Sequence, residues 1–167
     1  MRKIYFMILL TGILIVLTDP IISQVQLEIN VNSQPAWGPV GYDAVEYYFI
    51  PEIETYYSVS QQKFIFYEKG NWVTSSYLPY RFKDYNLYKA YKVVINKDKP
   101  YRYNKEHRVK YGSLKNRHDQ IVIRDSRDSK YYANKNHPQH NNWMKKQNSG
   151  NNNGNNHENK ESKSRKK

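Results

Sequence analysis

Glu52 and Glu54 stand two positions apart. Side chains at that spacing share one face of a strand, where a carboxylate pair can act as acid and base on a glycosidic bond. Nothing in the surrounding sequence gives a burial reason for a raised pKa, and the same pairing is ordinary on a solvent-facing strand. His137 and His140 flank Pro138 in a stretch without acidic or cysteine neighbours. The proline interrupts the helical presentation that an i, i+3 pair of metal ligands needs, so we read no metal site there. Ser113, His107, His118 and Asp119 have the residue types of a nucleophile, a base and an orienting acid. They lack the glycine pattern of a nucleophile turn. The chain has neither a phosphate-binding loop nor a dinucleotide fingerprint. It contains no cysteine, which rules out disulfides, thiolate catalysis and cysteine-based zinc sites. The expectation is a non-enzymatic protein without catalytic residue, metal or cofactor. The alternatives are a small cell-wall glycan hydrolase using Glu52 or Glu54, and a structural subunit of an envelope complex that needs a partner to be stable, since exposed strand edges invite pairing.

Tyrosine is the chemistry that remains. Fourteen of the seventeen tyrosines lie between residues 42 and 111. Tyrosine offers a large apolar body with a hydroxyl that can stay wet, which suits a small domain with little interior. Exposed aromatic rings also stack on sugars, peptides or bases. The doublets Tyr47-Tyr48 and Tyr56-Tyr57 put one ring on each face of a sheet, one of each pair in the core and the other outside. The candidate binding surface is therefore Tyr47, Tyr48, Tyr56, Tyr57, Tyr67 and Trp72.

The elements that must position these residues read as strands. The segments 45–50, 54–59, 63–67 and 71–74 are dominated by aromatic and β-branched residues. Pro51 interrupts the first pair, Ser60-Gln61-Gln62 separates the second, and Glu68-Lys69-Gly70-Asn71 reads as a hairpin turn with glycine at positive φ. Phe64 and Phe66 alternate with Ile65 and Tyr67, so this strand is expected to be covered on both sides. From Tyr80 to Tyr91 aromatics and leucine recur at spacings of three and four, which suggests a short helix on the sheet, with extended chain as the alternative. Residues 92–95 return to strand character, and Tyr101, Tyr103, Val109 and Tyr111 would extend it. The expected fold is mainly β, or α+β if the short helix forms: an antiparallel meander of three to four strands followed by a disordered basic tail.

The N-terminus opens with Arg2-Lys3 and an uncharged run of 14 residues, Ile4 to Leu17, closed by Asp19-Pro20. That run suits a signal peptide and falls short of the roughly 20 residues needed to cross a hydrocarbon core. We expect a signal peptide at 1–23, an extended leader at 24–41, a tyrosine-rich β domain at 42–111 and a basic, asparagine-rich tail at 112–167. In the leader, Gln24 to Val31 alternates like a strand, and Trp37, between two prolines and two glycines, is expected to pack on the domain. Residues 96–167 carry nineteen Lys and Arg against seven Asp and Glu, so the excess charge of +12 falls in the C-terminal part. A stretch this polar buries too little apolar surface to offset its ordering entropy, and we expect disorder from about 130 onward.

The stretches 37–43, 47–59 and 64–67, Gly70-Asn71-Trp72, Leu78-Pro79, 85–88 and 91–94 together resemble a family of small exported, tyrosine-rich proteins of Bacteroidota. The resemblance covers about residues 37–111. It implies an envelope location (periplasmic, outer-membrane-associated or secreted) and supplies no site residues. With export in view, the basic tail points to an anionic polymer outside the cytoplasm: an acidic polysaccharide, lipid headgroups or extracellular DNA. An envelope protein contacted by the aromatic domain is the other expected partner. Once the signal is cleaved, no membrane span is expected.

Overall fold

The computed structural model describes residues 29–149. The expected signal peptide and the residues beyond 149 lie outside the described residues. Five antiparallel strands form one sheet: β1 (Tyr47–Ile50), β2 (Thr55–Ser58), β3 (Lys63–Glu68), β4 (Asn71–Ser75) and β5 (Val93–Ile95). Their order across the sheet is β4-β3-β2-β1-β5. The first four make the expected meander. The fifth returns beside β1, so the sheet exceeds the three or four strands read from sequence.

Turn chemistry fixes the register. Lys69 (φ 47°) and Gly70 (φ 84°) form a two-residue turn with both central residues in the left-handed region, the geometry that matches the strand twist. The β1–β2 and β2–β3 connections are four residues long, and each ends on a left-handed residue, Glu54 (φ 51°) and Gln62 (φ 54°).

Alternation sends side chains to both faces, and both faces are covered. Tyr48, Tyr57, Phe64 and Phe66 form the core of one face. Trp37 of the leader closes over it, 5.5 Å from the Tyr48 ring and 4.9 Å from Tyr57. Leu78 and Leu87 of the β4–β5 crossover join them. Phe49, Tyr56, Ile65 and Ile95 form the core of the other face, packed by Tyr101 and Tyr111. The crossover contains one 3-10 turn, Tyr80–Phe82. Its apolar residues cluster with Ile50 and Ile53.

Two expectations are corrected. Residues 101–111 do not extend a strand: a 3-10 turn, Pro100–Tyr103, leads into α1 (Asn104–Lys110). Tyr103, His107 and Tyr111 are four apart and their rings pack at tilted angles on one side of this turn of chain. Residues 112–149 are not a disordered tail. Val122, Ile123 and Tyr131 are buried, and Ile123 and Tyr131 pack with Val31 and Val40 of the leader. The backbone joins too: Ile123 N–H donates to Gly38 O (2.8 Å), Arg124 N–H to Ala36 O (2.9 Å) and Val40 N–H to Ile121 O (3.1 Å). Polar side chains complete the junction. Asn134, fully buried, donates to the carbonyls of Val31 (3.0 Å) and Gln34 (2.7 Å). Gln34 accepts from Tyr48 Oη (2.9 Å), and Gly41 N–H donates to Tyr131 Oη (2.6 Å). Few apolar anchors suffice here because amide side chains and backbone satisfy one another inside the fold. Residues 140–149 are helical. Among the described residues no helix is long and apolar enough to cross a membrane.

Candidate functional site

The β1–β2 connection, Pro51-Glu52-Ile53-Glu54, sits at one end of the sheet, with Ile53 buried. The two carboxylates leave it in different directions, because neither lies on a strand. Glu52 Oε2 accepts from the Tyr85 hydroxyl of the crossover at 2.7 Å. Burial, reinforced by this carboxylate, raises the Tyr85 phenol pKa above its ordinary value. Glu54 turns toward α1 instead. Arg108 Nε lies 3.0 Å from one of its oxygens and Lys115 Nζ 3.0 Å from the other. One carboxylate thus serves the crossover and the other the helix layer.

Around Glu54 an open cleft of about 410 Å³ is lined by Lys105, Arg108, Val109 and Lys115. Three cations face one carboxylate there. Val109 is almost fully exposed, so an apolar wall stands beside the charges. The chemistry of the cleft is attraction of an anion to guanidinium and ammonium groups held by a short helix.

Behind the helix lies a polar cluster in an aromatic setting. Tyr56 Oη is 2.8 Å from His107 Nδ1 and accepts from Asn104 Nδ2 at 3.3 Å. Phe49, Tyr56, Tyr103 and Tyr111 surround the His107 ring. Burial lowers the His107 pKa, and burial pushes the Tyr56 phenol up to about 12. A phenol hydrogen donated to a neutral imidazole fits both directions. This cluster ties α1 to the sheet beneath the cleft.

The candidate binding surface divides. Tyr48, Tyr56 and Tyr57 are buried, so they stack on their own neighbours and are closed to any outside ligand. The expectation that one ring of each doublet faces outward fails for Tyr56-Tyr57, because α1 and the leader cover both faces. Tyr47 and Trp72 are partly buried, and Tyr67 is exposed. Tyr67 and Trp72 pair edge-on at 5.4 Å, with Tyr101 5.3 Å beyond Trp72. The surface is thus reduced to an aromatic strip across β3 and β4.

The remaining candidates are structural. His118 Nδ1 donates to Lys89 O (2.9 Å), Asp119 pairs with Arg117, and Ser113 bonds to neither. His137 is nearly buried, its Nδ1 accepting from Gln139 N–H (3.0 Å) and its Nε2 donating to Ser126 O (3.1 Å). His140 Nδ1 donates to Tyr132 O (2.9 Å). Both imidazoles hold backbone in the 112–149 layer. Among the described residues no group of three or more potential ligands gathers for a metal.

Sequence alone hides the cleft, because Lys105 and Arg108 fall in a stretch that reads as strand and Lys115 in what reads as tail. The spacing Tyr103-His107-Tyr111 is the signal that could have found it, since it marks a helix carrying Lys105 and Arg108 on its other sides. No protein-family model matches the chain, and neither a curated protein nor a solved structure matches it.

Proposed function

We propose that this is an exported, non-enzymatic envelope protein that binds an anionic polymer through a basic surface held on its aromatic β domain. One observation carries the reading: the positive charge belongs to folded chain. Between residues 96 and 149 there are fourteen Lys and Arg against five Asp and Glu, and Lys105, Arg108 and Lys115 converge on a single cleft. Other cations lie flat on rings, Arg124 3.9 Å from the Tyr88 centroid and Lys97 3.4 Å from Tyr103, which holds charge in place at low entropic cost. The N-terminal run of 14 apolar residues behind Arg2-Lys3 and the family resemblance support export.

Retention on an immobilised acidic polysaccharide tests the reading. Wild-type protein should elute with salt, because each phosphate, sulfate or carboxylate contact releases counterions. Lys105→Glu with Lys115→Glu should elute at distinctly lower salt while melting normally. Unchanged elution of that variant would remove the cleft from the binding surface.

A further inference from the structure

The two edges of the sheet are finished differently. At β5, three residues long, the peptide of Lys92 is capped by a side chain: Lys92 N–H donates to Gln120 Oε1 (2.7 Å) and Gln120 Nε2 donates back to Lys92 O (2.8 Å). The Gln120 amide thus stands in for a neighbouring strand. The Asn96 amide does the same beside β1, accepting from Glu46 N–H (2.9 Å) and donating to Ala44 O (3.1 Å).

The β4 edge has no such cap. The two-residue turn makes Glu68 and Asn71 a hydrogen-bonded pair, and alternation then turns Asn71, Val73 and Ser75 toward β3. The N–H and C=O groups of Trp72 and Thr74 point outward. Among the described residues nothing hydrogen-bonds to them. The strand Asn71-Trp72-Val73-Thr74-Ser75 has no charge and no proline, and its register runs without a bulge. Those are the devices that ordinarily protect an edge.

We propose that a second copy of this chain pairs with β4, antiparallel about a twofold axis through Val73. In that register Trp72 faces the partner's Thr74 and the reverse, and their four outward peptide groups exchange hydrogen bonds. An uncharged strand is complementary to itself, and the pairing sets an aromatic ring against a β-branched side chain at each crossing. The chain's own strand-like segment at 24–31 is a poorer occupant. It meets the described residues at Asn30, whose amide is bonded to both backbone groups of Val45 next to β1. Three strand spacings, about 14 Å, separate β1 from β4. On the export reading, with the signal removed after Ser23, bridging that gap would use up most of the span of residues 24–29.

Sedimentation of the full chain, purified from the cells that export it, measures this across a dilution series. The expected result is twice the chain mass at high concentration. Amide exchange at Trp72 and Thr74 should slow as the dimer forms. Thr74→Pro removes an outward N–H and leaves β3 pairing intact, so it should return the protein to one chain mass and melt like the wild type at dilutions where both are monomeric. Thr74→Lys, which keeps the N–H but puts a charge on the edge, should weaken the dimer in the same direction. A wild-type protein that stays at one chain mass, or a dimer indifferent to both substitutions, would overturn the proposal.

Discussion

Single residues show where the fold spends its polar groups. Asn134 is fully buried and holds two leader carbonyls. Asn134→Ala strands both, and leaving buried acceptors unpaired should cost about 2–3 kcal/mol in chemical denaturation. A cost near zero would mean that the 112–149 layer is not part of the cooperative unit. Lys92 is the opposite case. The residue is 1% exposed, its ammonium donates to Leu87 O at 2.9 Å, and no carboxylate among the described residues pairs with it. Burial lowers its pKa to about 8, against about 10.4 in an unfolded chain. Between those values the unfolded state binds more protons, so stability rises with pH, by about 2 kcal/mol from roughly pH 7 to 9.5. Lys92→Met should abolish that rise and melt higher at neutral pH. The buried phenols act in the other direction. Their raised pKa values make stability fall above about pH 10, where unfolded tyrosine ionises.

Elements follow local chemistry where neighbours in sequence decide them. The aromatic and β-branched runs mark four strands at nearly the observed bounds, and Lys69-Gly70 marks its turn. Gly70 sits at φ 84° with open space where a methyl group would stand, so Gly70→Ala should cost about 1 kcal/mol from backbone strain alone. Gly38 differs: an added methyl would come 2.7 Å from the Tyr48 hydroxyl. Gly38→Ala should therefore cost more, about 1–3 kcal/mol, with the Trp37 fluorescence environment disturbed. What local chemistry does not give is coverage. The doublets announce two faces but not that α1 lies over one of them. α1 itself is hidden because Tyr101, Tyr103 and Tyr111 also fit a strand pattern, and only tertiary packing chooses between the two.

At the scale of the molecule, composition misleads. Residues 112–149 are polar because their work is done by Asn134, His137, Gln120 and backbone pairing with residues 36–40, with Val122, Ile123 and Tyr131 as the few apolar anchors. Contacts between residues 90 to 103 apart leave no periodic mark in sequence. Their consequence is that most of the positive charge is displayed by folded chain, and the candidate site rests on that. Glu54 comes into view in the sequence as a catalytic candidate and serves in the structure as the anion between Arg108 and Lys115.

The central claim is that the folded basic face, and not the chain end, binds anions. Salt elution from an acidic polysaccharide, compared between the full chain and a chain ending at Ser149, tests it most directly. Residues 150–167 hold five Lys and Arg against two Glu, so the shorter protein should keep most of its binding, with a modestly shallower salt dependence. Loss of binding on removing those residues, with the cleft intact, would contradict the account.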